Sequence, residues 1–448
     1  MKHLPLLPRT DASAVVAHHE GRAVRVEEFL WEVSVLAQRL PEVGRIINVC
    51  ADRYWFAVGL FACIQRGIVS LLPTSAAPEH LAAVCGRGDD LLAIGDQSDP
   101  GPSHVAYLRV GHDRATPLGR PPAVDIPLIP ADRLVARVFT SGSTGAPQAH
   151  DKFFGCLQDS VAAAAQRVWG VTNGPCAVLG TSSFRHMFGF ESTVLLPLLG
   201  GGALSSKVPY FPADVSSALS ELPEPRLLVT TPFHLRNLLE AGIALPRIAA
   251  VLSATAPLSR ELASRAQEQL RAPVMEIYGS TETGQVATRR TTEQADWSLM
   301  DGVQLTQVGE TTIAAGRSLH QPQALNDVIE IVSPTRFRLI DRGSNLVNIV
   351  GKKSTLTFLN HLLSQVPGVR DGIFCLPEQA DGQAPARLTA FVVAPQVEPA
   401  SILNALRSHI DPVFLPRPIV LIDELPRDAN GKVTASTVRR LCEQHGNA

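Results

Sequence analysis

The chain has 448 residues, 45% hydrophobic and 18% charged, with a formal net charge of −2. That length exceeds one ordinary core, so two or more structural units are expected, and the charge leaves no bulk basic field for nucleic acid or an anionic membrane. Seven cysteines without a CxxC pair argue against a zinc ribbon or a disulfide framework. With no apolar run of about 18 residues, neither a signal peptide nor a membrane span is expected, and the cytoplasm is the expected location.

From 45 to 279 short apolar runs alternate with amphipathic stretches. In chain order, strands are predicted at 45–50, 67–72, 91–95, 135–139, 176–180, 227–230, 249–253 and 274–278. Helical patterns lie between several of them, at 56–65, 152–169, 232–241 and 259–270. Such alternation reads as α/β with mainly parallel sheets, whose ligands bind outside the carboxyl ends of the strands. The loops that follow strands are therefore where chemistry is expected. From about Asp301 the segments become shorter and more alternating, with strands predicted at 328–332, 336–340, 372–376, 388–393 and 418–422 and helices at 355–365 and 400–409. This reads as a smaller α+β unit, joined at the polar, glycine-containing stretch 341–345, so the expected domains are 1–341 and 342–448.

Three segments carry chemical signals. The run from Phe139 to Pro147 contains Thr140, Ser141, Gly142, Ser143, Thr144 and Gly145, after a predicted strand and before a predicted helix near Lys152. Its glycines permit close backbone approach to an anion, its hydroxyls supply donors, and successive N–H groups can form a nest. No GK[ST] follows, so it is not a Walker A loop; a plain small-residue surface loop is the alternative. The second segment is Tyr278-Gly279-Ser280-Thr281-Glu282, again straight after a strand. Its aromatic face suits a base, its hydroxyl a phosphate and its carboxylate a magnesium ion, whereas a strand end followed by a helix cap is the bland reading. The third is Pro426-Arg427-Asp428-Ala429-Asn430-Gly431-Lys432, where Asn-Gly marks a turn presenting Lys432. A lone lysine there is ordinarily just solvated.

In this order and spacing the three segments resemble the acyl/aryl-CoA synthetase superfamily of adenylate-forming enzymes, over about 21–432. The stretch from Ser183 to Glu191, with His186, is similar to the family's histidine motif, and the stretch from Ser253 to Leu258, with Ala256 and Pro257, to its nucleotide segment. The stretch from Arg342 to Lys353 is similar to the motif at the domain joint. The resemblance implies an α/β fold: a large N-terminal domain of αβ subdomains plus a small β-barrel, and a small mobile α+β C-terminal domain. It implies ATP, Mg²⁺ and a coenzyme A or phosphopantetheine thiol, with a carboxylic acid as substrate and an acyl carrier protein as an alternative partner. By motif position, residues Thr140 to Gly145 would cradle the β- and γ-phosphates, and Tyr278 with Gly279 would lie along the adenine. Thr281 would bond the α-phosphate, Glu282 would hold Mg²⁺, Asp327 the ribose hydroxyls, and His186 would line or gate the acid pocket. Lys432 would reach the substrate carboxylate and the α-phosphate.

The departures are specific. Gln148 stands where the family's loop has lysine, with Lys152 four residues on as either a replacement or an ordinary helix-surface residue. Asp327 follows Leu325-Asn326 rather than the family's usual Thr-Gly, Ser344 occupies the hinge position where an acid or lysine is common, and Asn348 replaces a frequent lysine. Compactness, Gln148 and the HMFGFE segment are most similar to the AMP-dependent ligases of aryl-polyene and xanthomonadin-type pigment formation, which implies a hydroxybenzoate-like acid. Phe188 and Phe190 would then line an aryl pocket or simply fill the core. A fatty or other aliphatic acid ligase, a ring-closing enzyme that needs no thiol, and a degenerate adenylate-binding protein are the alternatives.

Overall fold

The computed structural model describes residues 2–9, 11–73, 78–85, 90–97, 105–111, 125–141, 147–309, 311–342, 346–349, 352–376, 387–407, 409–428, 431 and 433–445. The chain forms two compact units. The first comprises Met1–Leu305, Ala314–Gln323 and Pro334–Arg336, and the second Thr306–Ile313, Ala324–Ser333 and Phe337–Ala448.

The first unit carries two large sheets beside the short pair His3–Pro5 with Leu128–Pro130. One has the order Pro147–Phe153, Leu134–Ser141, Val69–Leu72, Arg45–Asn48, Leu91–Gly95, Ala106–Arg109, parallel except for the first hairpin. The other contains a parallel run from Ala203–Ser205 through Ala177–Gly180, Arg226–Thr230 and Ala250–Ser253 to Val274–Ser280, then turns antiparallel into Gly284–Arg289. These strands are legible as apolar runs because helices cover both faces of a parallel sheet, leaving no solvent side to alternate toward. Helices Pro232–Glu240 and Arg260–Leu270 bury Leu235, Leu239, Leu262 and Ala266 against Val251 and Val274. Each starts at a hydroxyl cap, Thr231 accepting from the His234 N–H and Ser259 from the Leu262 N–H.

Helix Arg53–Arg66 starts at Asp52, whose carboxylate accepts from the Tyr54 and Trp55 N–H groups, and stops at Gly67, left-handed at φ 74. Its first residue, Arg53, is fully buried and donates to the carbonyls of Gly180, Ser205 and Lys207 at 2.7–2.9 Å. A buried guanidinium thus ties the helix of one sheet to strand ends of the other. Replacing it with an apolar residue would leave those carbonyls short of donors.

In the second unit, strands Asp371–Cys375, Thr389–Val393 and Ile419–Leu421 form a sheet packed by helices Leu356–Ser364 and Pro399–Arg407. Its core includes Leu359, Leu363, Phe374, Val392, Ile402 and Leu406. Among the described residues no helix is long and apolar enough to cross a membrane.

Candidate active site

Strand Leu134–Ser141 turns back as Pro147–Phe153, pairing Thr140 with Gln148 and Ser141 with Pro147. The helix expected from 152 therefore begins two residues later, at Phe154, and Lys152 is a strand residue opposite Ala136 rather than a helix-surface lysine. The ladder made by the preceding strand overrides a polar stretch with no apolar alternation of its own. The turn itself, with Gly142, Ser143, Thr144 and Gly145, lies outside the described residues. Alternation along the strand puts Gln148, His150 and Lys152 on one face. Thr140 Oγ1 and His150 Nε2 share a hydrogen bond of 2.9 Å.

The second motif is also a hairpin. Strand Val274–Ser280 returns as Gly284–Arg289 with Ser280 opposite Gly284, so the helix-cap alternative is replaced by a tight turn over Thr281, Glu282 and Thr283. Ser280 and Thr283 brace it: the Ser280 N–H donates to Thr283 Oγ1 at 3.1 Å and the Thr283 N–H to Ser280 Oγ at 3.2 Å. Gly279 is required sterically, because a Cβ there would stand 2.1 Å from the Gly284 carbonyl oxygen. Tyr278 is buried against Trp297, ring centroids 5.6 Å apart.

The two hairpins face one cavity of about 520 Å³, bordered by Gln148, His150, Lys152, Met187, Glu191 and Glu282 among others. His150 Nε2 lies 3.8 Å from Glu282 Oε1. Burial lowers the His150 imidazole below its usual range, opposed by the Glu282 charge. The Lys152 ammonium is buried and donates to the Thr281 carbonyl, in the second motif rather than the first. Burial lowers its pKa too, while the charges of Glu191 and Glu282 oppose the shift. Glu191 lies in a π-helical stretch, Phe190–Leu195, and accepts from Ser160 Oγ at 2.9 Å. Burial pushes its carboxyl up to about 7, against the pull of Lys152.

The other predicted positions are scattered. Ala256 and Pro257 are exposed in the loop after Ala250–Ser253, where Thr255 is left-handed at φ 79 and the Leu258 N–H donates to the buried Glu276. Thr255 Oγ1 and Ser253 Oγ are buried there without a hydrogen-bond partner, as polar atoms awaiting a ligand would be. His186 precedes the short helix Met187–Gly189; its neighbour Met187 borders the cavity and His186 does not. Phe190 is fully buried against Phe56, and neither Phe188 nor Phe190 borders the cavity, so they do not form its aryl wall. Asp327 and Arg342 are the first and last residues of strands Asp327–Ser333 and Arg336–Arg342, in the second unit. Lys432, Ser344 and Gly351 lie outside the described residues. Beside Lys432, however, Arg427 grips both Asp371 oxygens and donates to the Gly431 carbonyl at 2.7 Å.

Sequence reasoning passed over His150, Glu191 and Asp371. A signal existed for two of them: His150 shares a two-residue period with Gln148 and Lys152, and Glu191 is a lone acid in an apolar run.

Residues 9–309 match the family described as AMP-binding enzyme. A 4-coumarate–CoA ligase of Rhodobacter capsulatus is 30% identical over 273 residues, 61% of this chain and 66% of that protein. An L-allo-isoleucine:holo-[CmaA peptidyl-carrier protein] ligase of Pseudomonas savastanoi pv. glycinea is 23% identical over 94% of this chain and 79% of its own length. The fold is similar to ATP-bound MatB from Rhodopseudomonas palustris, with a TM-score of 0.81 at 18% identity and 98% of each chain covered.

Proposed function

The chain belongs to the AMP-binding enzyme family, and from that premise we propose that it joins a carboxylic acid to ATP, releasing pyrophosphate, and then passes the acyl group to a thiol. The observation that carries this reading is the convergence of the Thr140–His150 pair, the Thr281–Glu282 turn and the buried Lys152 on one cavity. In the first step a carboxylate oxygen attacks the α-phosphorus, so negative charges must be brought together and more develops on the phosphorus.

The roles of the residues are those that the family resemblance implies for their motif positions. Thr140 to Gly145 hold the outer phosphates, Thr281 the α-phosphate, Ala256, Pro257, Tyr278 and Gly279 the adenine, and Asp327 the ribose. Glu282 is one-third exposed and borders the cavity, 3.8 Å from the His150 imidazole and within the field of the Lys152 ammonium, and its carboxylate suits a divalent metal. Among the described residues no cluster of three or more acidic, His or Cys side chains could hold a metal alone. A magnesium ion at Glu282 would therefore share phosphate oxygens and neutralise them. Burial lowers the His150 imidazole below its usual range, which disfavours a second cation at that carboxylate. His186 gates the acid, and Arg342 sits at the joint about which 342–448 turns to bring Lys432 to the carboxylate and α-phosphate and then withdraw it.

The acid is read as a hydroxybenzoate-like aryl acid, as in aryl-polyene and xanthomonadin-type pigment formation. This rests on Gln148 and the HMFGFE segment, and the 4-coumarate–CoA ligase relative supports the aryl part. Coenzyme A is the first choice of acceptor. A carrier-protein phosphopantetheine is the second, supported by the peptidyl-carrier ligase that matches 94% of the chain. ATP–pyrophosphate exchange across benzoates, cinnamates and fatty acids tests the reading. Exchange with aryl acids is expected; exchange only with fatty acids would transfer the assignment to aliphatic ligases, and none with any acid would leave an adenylate-binding protein.

A further inference from the structure

Two buried charged side chains border the cavity with no step above assigned to them. Lys152 is 6% exposed and Glu191 2%. Charges buried so deeply are costly unless each finds a partner. Their charges attract each other, but the hydrogen bonds go elsewhere: the ammonium donates to the Thr281 carbonyl, and Glu191 accepts from Ser160 Oγ and from the Gln285 backbone N–H. Lys152 has three N–H donors, and the Thr281 carbonyl uses one of them. Gly284, at φ 69, keeps the carboxylate side open, since a Cβ there would stand 2.9 Å from Glu191 Oε1.

The ammonium can only donate, and the Glu191 carboxylate, ionised above a pH of about 7, then only accepts. A neutral hydroxyl satisfies both at once. A bare ring edge or methyl adds a partner to neither and shields the remaining ammonium donors from water. A second carboxylate only accepts, and it brings another negative charge to a cavity already bordered by Glu191, Glu282 and Asp151. We infer that Lys152 and Glu191 are the specificity-determining residues of the acid pocket, selecting an acid with a hydroxyl on its far end over its unsubstituted or dicarboxylic counterpart. Burial that raises Glu191 to about 7 is in keeping with a carboxyl that exchanges hydrogen bonds with a neutral partner. The inference rests on the reading of this cavity as one that activates a hydroxybenzoate-like acid, and adds to it the residues that read the hydroxyl.

The test is pyrophosphate release at saturating ATP with benzoate, 4-hydroxybenzoate and terephthalate, for the wild type, Lys152→Met and Glu191→Gln. A site built to bond a hydroxyl discriminates steeply against the analogue without it. The wild-type kcat/KM ratio of 4-hydroxybenzoate to benzoate is expected to be at least about 100, with terephthalate below 4-hydroxybenzoate. Because a charged acceptor binds about twice as strongly as a neutral one, Glu191→Gln should lower that ratio at least about fivefold. Lys152→Met should lower it further. A smaller fall in Glu191→Gln, terephthalate as the better substrate, or equal loss with all acids in both variants overturns the inference. Should Lys152→Met fail to fold, Glu191→Gln decides alone, since it keeps shape and volume. If the wild type accepts fatty acids and no aryl acid, the aryl reading fails separately. The ratio of an ω-hydroxy fatty acid to its parent then tests the same two residues.

Discussion

Removing the Asp371 carboxylate tests how the segment bearing Lys432 is held. Arg427 Nη2 donates to the two Asp371 oxygens at 2.8 and 2.7 Å, and Nε to one of them at 3.2 Å. Its Nη1 donates to the Gly431 carbonyl one residue before Lys432, and the Gly431 N–H closes the turn onto the Asp428 carbonyl at 2.8 Å. The pair is 21% and 25% exposed. A fully exposed ion pair contributes about 0–1 kcal/mol, whereas charge-assisted hydrogen bonds contribute about 1.5–3 kcal/mol. Bidentate and three-quarters shielded, this one should be worth about 2 kcal/mol. Asp371→Ala is therefore expected to lower stability by about that amount, measured by urea unfolding. The larger effect should be on chemistry, because a catalytic group misplaced by about 1 Å costs up to about 100-fold. Adenylate formation, followed as pyrophosphate release, should fall at least about tenfold, while thioester formation from synthetic acyl-adenylate stays within about twofold. Lys432→Ala should show the same split more deeply. Equal slowing of both half-reactions, or lost stability with adenylate formation untouched, would refute the claim that Asp371 positions the lysine through Arg427.

Glu282→Gln should cut pyrophosphate-releasing activity at least about tenfold at limiting Mg²⁺, roughly 1.4 kcal/mol of barrier, with the fold intact by circular dichroism. Unchanged activity would remove Glu282 as the metal-holding carboxylate. Gly279→Ala places a methyl 2.1 Å from a backbone oxygen that cannot swing away, so a loss of about 3 kcal/mol and of ATP binding is expected, and wild-type melting would contradict the hairpin geometry. Glu32 is buried, accepts the Tyr54 hydroxyl and is pushed by burial up to about 7 from an ordinary value of 4.5. Its folded form thus holds a proton that the unfolded chain releases, so it costs stability as pH rises from about 4.5 through 7, by up to about 3 kcal/mol. Glu32→Gln should gain on the wild type above pH 7 and lose that gain below about pH 4.5; a difference independent of pH would sink this account.

The order of elements was readable because burial is local. The predicted strands at 45–50, 91–95, 227–230, 249–253 and 274–278 coincide with observed strands, since each is a short apolar run covered on both sides. Helices Pro232–Glu240 and Arg260–Leu270 were announced by Thr231 and Ser259, caps that act within three residues. Helix Ala435–His445 was missed, for it lies in a polar stretch with little apolar contrast, and hairpin Leu346–Ile349 with Lys352–Thr355 was missed because its short first strand was read as part of the domain joint. The same contrast failed at Gln148 to Lys152, whose strand exists because Leu134–Ser141 offers it a ladder.

By itself, then, the sequence determined the α/β class, the family and the loops in which charge and hydroxyls gather, because caps, periods and glycine turns act over a few residues. Only the tertiary structure decided which of those groups meet. His150 and Glu282 stand 3.8 Å apart although 132 positions separate them, Lys152 bonds Thr281 across 129 positions, and Arg427 bonds Asp371 across 56. Contacts of that span are set by strand order and register. So are the burial that moves Glu191 to about 7 and the choice of Phe190 as core rather than pocket wall. An ion pair or a hydrogen bond depends on distance and on exclusion of water, and neither is a property of any short stretch of chain.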